Sequence, residues 1–300
     1  MSFDADKATT DWEKDTIILG IDEAGRGPVM GPMVYACAYW KEEYDADIRK
    51  KFKFNDSKAL KPEEREKMFE QIKSHPNLIR YELIVLPSDY ISKEMLKRQK
   101  VSLNQISQNS AKSLIKTARD KKVNVRKIFV DTVGPAGSYQ ALLKNSLDDR
   151  TIEVTVEPKA DAKYECVSAA SIVAKVTRDK HIEIIEKEDK DCGSGYPSDP
   201  KTREWLKDNY DNIFGFGREV RFSWKTVETM FKENNNKCEW EDYDSEEENE
   251  KYKKNKKDKK ENDENKNFKI DNMIEIKENK KKNTIRGFYE KNNIDFNIEL

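Results

Sequence analysis

Short β-branched apolar runs alternate with longer stretches whose apolar residues recur every three or four positions, and this alternation fills most of the chain before residue 236. Runs at residues 16–21, 33–40, 79–86, 127–130 and 151–156 predict strands. The first three are separated by turn and loop signals, as in an antiparallel meander. Helical spacing over residues 103–121 and 138–146 separates the later ones, which is the alternation of parallel crossover units. The pattern therefore predicts an α/β fold, a mixed sheet flanked by helices. Further helices are predicted at residues 164–187, 201–209 and 224–233, the second just after the turn-rich Gly193-Ser-Gly-Tyr-Pro-Ser-Asp-Pro200. With no internal repeat and no long linker, residues 16–235 read as one domain behind a flexible N-terminus at residues 1–15.

The pattern then stops. Residues 241–285 hold an acidic block (244–250), a lysine block (251–260) and 14 acidic against 13 lysine residues in all, so residues 236–285 are read as a low-complexity, disordered linker. Phe288, Tyr289, Ile294 and Phe296 return within residues 286–300, which reads either as a docking segment or as an unstructured end. Over the full 300 residues, 36% are hydrophobic and 38% charged, with a formal charge of -1, so any basic surface must be local. No apolar run reaches the ~20 residues a membrane helix needs, and the polar start lacks a signal-peptide core, so a soluble, non-secreted protein without membrane partners is expected. The four cysteines form no metal-type pair and read as reduced thiols, with Cys37 and Cys166 filling core space and Cys192 showing no activating neighbour in sequence.

Acids stand where the strands end. Ile17-Ile-Leu-Gly-Ile21 leads into Asp22-Glu23, Lys127-Ile-Phe-Val130 into Asp131, and the run to Val156 passes through Pro158 to Asp161 just before a helix. In an open α/β sheet the carboxyl ends of the strands line the ligand crevice, so acids far apart in sequence can converge there. Oxygen donors suit a hard cation such as Mg²⁺ or Mn²⁺. An Asp after a strand is equally a turn starter or helix cap, so the residues alone leave a metal site and a structural reading both open. His75, before Pro76 in a polar loop, and His181, on a charged helix face, do not read as bases beside a nucleophile. No glycine-rich phosphate loop is present either, and metal-assisted attack by water fits best.

The segment Asp22-Glu-Ala-Gly-Arg-Gly-Pro28, continued by Gly31-Pro-Met-Val-Tyr35, resembles the signature of the type 2 ribonucleases H. Asp56-Ser-Lys58, Val130-Asp-Thr-Val-Gly134, Lys159-Ala-Asp161, Val167-Ser-Ala-Ala-Ser-Ile-Val-Ala-Lys175, Arg178-Asp179, Gly193-Ser-Gly-Tyr-Pro197, Asp199-Pro-Lys-Thr202 and Val220-Arg-Phe-Ser-Trp224 resemble that family's blocks in order, over about residues 17–233. The detail is most similar to the catalytic subunit of the eukaryotic enzymes. The Lys/Asn-rich insert before the C-terminal segment departs from the pattern.

The resemblance implies a ribonuclease-H-like fold and an endonuclease that cuts the RNA strand of RNA/DNA hybrids and the 5′ side of single ribonucleotides in duplex DNA. It implies that Asp22, Glu23, Asp131 and Asp161 hold two Mg²⁺ or Mn²⁺ ions ~4 Å apart, leaving 5′-phosphate and 3′-hydroxyl ends. It also implies that Gly25, Arg26 and Gly27 meet the 2′-hydroxyl through their main-chain groups, that Tyr196 senses the RNA-to-DNA junction, and that Lys58, Arg178, Ser223 and Thr226 meet phosphates. Ala169, Ala170 and Ala174 read as packing residues. Further implications are two accessory protein subunits (B and C) in a heterotrimer, a nuclear location, and roles in ribonucleotide excision repair and RNA primer removal. Two rival readings remain: another metal-dependent phosphoryl-transfer nuclease, and a non-catalytic protein for nucleic-acid binding or assembly.

Overall fold

The computed structural model describes residues 3–54, 60–188 and 192–234. Lys58 and the segments at 236–285 and 286–300 lie outside the described residues. Five strands, β1 (Ile17–Ala24), β2 (Met33–Lys41), β3 (Arg80–Leu86), β4 (Val125–Asp131) and β5 (Glu153–Glu157), form one sheet in the order β3-β2-β1-β4-β5. β2 pairs antiparallel with both β1 and β3, whereas β1/β4 and β4/β5 are parallel, the mixed sheet that the spacing predicts.

Eight α-helices among the described residues are α1 (Asp45–Phe52), α2 (Pro62–Ser74), α3 (Ser88–Leu96), α4 (Leu103–Asp120), α5 (Ala136–Asn145), α6 (Glu165–Glu188), α7 (Pro200–Asp208) and α8 (Lys225–Glu233). The pattern predicts the last five. It misses α1 to α3 because they bury few apolar residues: Phe69 and Ile72 alone in α2, and Ser88 and Ser92 beside Ile91 in α3.

Alternation along β1 divides the core. Ile17, Leu19 and Ile21 face the α4 and α5 side, and Ile18 faces the α6 side. The far end of α6 contributes Ile182 and Ile185 to a third cluster with Trp205 of α7, Val227 of α8 and the loop residues Val29 and Met30. Thus α6 runs from the sheet centre into the appended helices.

α6 lies against β1 because small residues face it there. A methyl group at Gly20 would stand 2.2 Å from the backbone of Cys166 and Val167, and Ala169, Ala170 and Ala174 are fully buried. Cys37 and Cys166 are core residues whose thiol pKa values burial pushes up, as expected of inert packing cysteines.

Within the N-terminal segment Ala5 is buried, Asp6 lies 3.3 Å from His75, and Trp12 packs edge-on to Tyr39 beneath the Arg80 guanidinium. Its aromatic and buried side chains supply apolar contact that its overall polarity conceals. One expectation needs correction. His181 is 6% exposed rather than on a charged face, because α6 is covered by both the sheet and the third cluster, and desolvation lowers its pKa to about 4. No described helix is long and apolar enough to cross a membrane.

Two outcomes follow. Gly20→Ala forces α6 off β1 and costs about 3 kcal/mol or more, a Tm drop of ~6–12 °C for a domain of this size; urea denaturation measures it. His181 stays neutral in the fold while the unfolded chain takes up a proton, so its contribution is fully present above the unfolded pKa of 6.5 and fades as pH falls through about 4. Stability measured across that range should fall by about 3 kcal/mol more in the wild type than in His181→Gln.

Candidate active site

The β1/β4 register closes with Ile21 opposite Val130, so Asp22 and Asp131 occupy the next positions on adjacent parallel strands. Asp22 and Glu23 lie within β1 rather than beyond its end, because pairing with β2 continues through Asp22, Glu23 and Ala24. Alternation therefore sends Asp22 to the α6 side and Glu23 to the α4 and α5 side. Asp161 is buried in the short 3-10 turn Ala160–Ala162 that leads into α6, and the Ala160 N–H donates to Asp131 Oδ1 at 3.1 Å. One hydrogen bond thus joins the Asp161 turn to the end of β4.

Asp22 is 4% exposed. Desolvation, then the Glu23 charge, then the Asp131 charge hold its carboxyl pKa well above the usual range, against weaker opposing hydrogen bonds from Ser171 and the Glu23 N–H. Such crowding of carboxylates is what a bound cation relieves. As they stand, no group of three or more Asp, Glu, His or Cys side chains among the described residues is arranged to hold an ion. The fit to a hard divalent cation is therefore one of donor chemistry and location, not of preformed ligand distances.

The loop after β1 is fastened from beneath. Gly25 has φ +80°, and a methyl group there would stand 2.5 Å from the Pro32 carbonyl oxygen. Arg221, fully buried, donates from Nη2 to Gly25 O (2.6 Å) and Gly31 O (2.8 Å), from Nη1 to Arg26 O (3.1 Å) and from Nε to Gly31 O (3.0 Å). Its guanidinium lies 4.7 Å from the Trp224 ring centre, and Trp224 Nε1 donates to Gly27 O at 2.9 Å. Burial and nearby Arg178 lower its pKa to about 9, which leaves it charged at neutral pH. The sequence shows the Val220-Arg-Phe-Ser-Trp224 block but not that its arginine serves the loop some 195 residues earlier.

The Arg26 side chain is engaged within the fold: Nη1 donates to Ser107 Oγ at 2.6 Å and Nη2 to Asn104 Oδ1, both on α4, so this guanidinium braces the loop. Arg178 is 3% exposed, its Nη2 donates to Ser194 O at 2.8 Å, and its guanidinium lies 5.4 Å from the Tyr196 ring centre, so it ties α6 to the Tyr196 loop.

Tyr196 is 38% exposed. Gly195 O accepts from the N–H groups of Val29 (2.8 Å) and Met30 (3.2 Å), which seats the Tyr196 loop on the β1–β2 connection. A methyl group at Gly27 would come within 3.4 Å of the Tyr196 ring, so these two predicted residues face each other. Ser223 donates to Met95 Sδ at 3.5 Å and, with Gly27, lines an open groove of about 500 Å³. Thr226 is half-buried in the first turn of α8.

Known proteins match this chain in sequence and fold. The family model for ribonuclease HII matches residues 19–227. The A subunit of ribonuclease H2 from Mus musculus is 45% identical over 241 residues, 78% of this chain and 79% of its own length. The Homo sapiens protein of the same name is 46% identical over 239 residues, with the same shares of the two chains. Among solved structures, the ribonuclease H2 from Pyrococcus horikoshii OT3 superposes with a TM-score of 0.66 at 34% identity, covering 74% of this chain and 100% of that one. With strand-end acids, a braced glycine loop and a facing tyrosine all inside the matched span, the chain belongs to the ribonuclease HII family of hydrolases.

Proposed function

We propose that this ribonuclease H is the catalytic subunit of an enzyme that cuts the RNA strand of RNA/DNA hybrids and the 5′ side of single ribonucleotides in duplex DNA. The observation that carries the reading is the placement of Asp22 and Asp131 at neighbouring parallel strand ends, with the Asp161 turn bonded to Asp131 and the Gly25–Gly27 loop following from the same strand. Asp22, Glu23, Asp131 and Asp161 would hold two divalent ions, Mg²⁺ or Mn²⁺. When bound, such ions supply activation of water and charge neutralisation at the leaving 3′ oxygen.

The chain's own residues do the rest. Arg221 and Trp224 turn the loop carbonyls inward, so the loop backbone is pre-formed for a ribose 2′-hydroxyl, the group that separates RNA from DNA. Tyr196, backed by Arg178 and seated opposite Gly27, takes the sugar on the other flank and senses the change from RNA to DNA. Lys58, Ser223 and Thr226 meet phosphates and set register rather than sugar choice. The product carries 5′-phosphate and 3′-hydroxyl ends, consistent with roles in ribonucleotide excision repair and RNA primer removal.

The relatives are named as one subunit of ribonuclease H2, which supports assembly with accessory B and C proteins, and their eukaryotic sources support a nuclear location. In this reading residues 16–235 form the catalytic domain and residues 286–300 dock on those partners through Phe288, Tyr289 and Ile294. The presence of all four acids weighs against a non-catalytic role.

End-labelled duplex DNA with one ribonucleotide, offered to the chain alone and with its native partners, should give one cut 5′ to the ribonucleotide. Asp131→Asn should lower that rate about 10³-fold, several kcal/mol of transition-state stabilisation, while leaving the fold intact; normal cutting by the variant refutes the assignment, and cutting of an all-DNA control favours a broader nuclease. Tyr196→Ala should reduce kcat/KM on the single-ribonucleotide duplex about tenfold while a continuous hybrid loses less; equal losses on both would remove the junction-sensing role.

A further inference from the structure

The start of α7, Asp199-Pro-Lys-Thr202, holds the loop that carries Tyr196. Thr202 is fully buried, and its Oγ1 donates to Cys192 O at 2.8 Å and accepts from the Gly195 N–H at 3.0 Å. Asp199 caps the same helix: Oδ1 accepts from the Lys201 N–H at 3.0 Å, while Oδ2 accepts from the Ser194 N–H at 2.9 Å and from Ser194 Oγ at 2.7 Å. The Asp199 N–H in turn donates to Tyr196 O at 3.0 Å. The fit is close, since a methyl group at Gly193 would stand 2.8 Å from Asp199 Oδ2.

We infer that Thr202, with Asp199 beside it, is a positioning residue that sets where the Tyr196 ring stands opposite Gly27, and so tunes the choice of a single-ribonucleotide duplex over a continuous hybrid. The inference rests on the function proposed above, because it acts through the junction-sensing role of Tyr196. Arg178 at Ser194 O, and the Val29 and Met30 N–H groups at Gly195 O, tie the loop to α6 and to the β1–β2 connection. The Thr202 hydroxyl ties it to α7, so the ring is located from a further direction. A hydroxyl is required there because one atom must accept from one main-chain group and donate to another. A methyl in its place keeps the shape but leaves the buried Gly195 N–H without that acceptor and Cys192 O without that donor, which drives the loop to other partners. Small misplacements of a substrate-facing group cost rate out of proportion to their size.

The test uses the full chain with its native partners and compares Thr202→Val, Thr202→Ser and Asp199→Asn with the wild type and with Tyr196→Ala. Thr202→Val should lower kcat/KM on the single-ribonucleotide duplex about fivefold and on a continuous hybrid by less than about twofold. Thr202→Ser, which keeps the hydroxyl, should restore most of that loss. Added to Tyr196→Ala, Thr202→Val should cost nothing further, the non-additivity expected when one residue acts through the other. Amide exchange over residues 192–196 reads the loop without any cleavage, and it should quicken in Thr202→Val but not in Thr202→Ser. Equal losses on the two substrates, a full further loss in the Tyr196→Ala background, or unchanged exchange overturns the inference. If Thr202→Val does not fold, Asp199→Asn decides: having lost one of two acceptor oxygens, it must show the same substrate-selective, Tyr196-dependent loss. Failure of the wild type to cut the single-ribonucleotide duplex would sink the proposed function instead, while exchange would still decide whether Thr202 holds the loop.

Discussion

The approach of α6 to β1 fixes the rest of the molecule. At Gly20 the helix backbone lies where any other residue would place its Cβ, so the spacing is set by main-chain contact rather than by deformable side chains. Much of the candidate site hangs from one of these two elements. β1 carries Asp22 and Glu23 and runs on into the glycine loop, while α6 is preceded by Asp161 and carries Ser171, which reaches Asp22, and Arg178, which reaches the Tyr196 loop. A small change in this one distance would displace Asp22, Glu23, Asp161 and the glycine loop together.

The buried Arg221 then converts the loop after β1 from a tight turn into a fixed surface. Burying a guanidinium is costly unless its donors are met, and Arg221 offsets that cost with four bonds to carbonyl oxygens for its five N–H groups and a face on Trp224. A lysine could not replace this planar fork, which reaches Gly25, Arg26 and Gly31 at once. The third apolar cluster supports Arg221 through Val220 and so belongs functionally to the site: without α7 and α8 there would be no platform for the glycine loop.

Much of this was legible in the sequence, for identifiable reasons. The strands were readable because β-branched runs face apolar neighbours on both sides of the sheet, and α6 because its small residues recur with helical spacing. The helices α1 to α3 were not readable, since a helix held by one or two apolar side chains, or by buried serines, leaves no periodic trace. Asp22 and Glu23 looked as though they lay beyond the strand because the apolar run stops at Ile21, whereas hydrogen bonding to β2 continues. The partners of Arg26 and Arg178 were hidden for a different reason: a side chain's sequence neighbours do not reveal that Ser107 or Ser194 will receive it. Position in a motif located these residues, but only packing shows what their guanidinium groups bond to.

The acids themselves show why such a site needs so firm a frame. Like charges gathered at neighbouring strand ends oppose folding, and the raised pKa of Asp22 records that repulsion together with the loss of water around it. A loosely packed sheet edge would relax by letting the carboxylates splay into solvent. Here Asp22 is held by β2 on one side and covered by α6 on the other, and Asp131 is tied to the Asp161 turn, so that escape is closed. The fold therefore maintains locally unfavourable electrostatics at the expense of stability gained in its core, an arrangement expected where a site is shaped for a charged ligand. A polyanionic substrate approaching these acids meets the same repulsion. Its binding must draw on cations placed elsewhere along its path, and the near-neutral charge of the whole chain means that local placement, rather than bulk attraction, has to supply them.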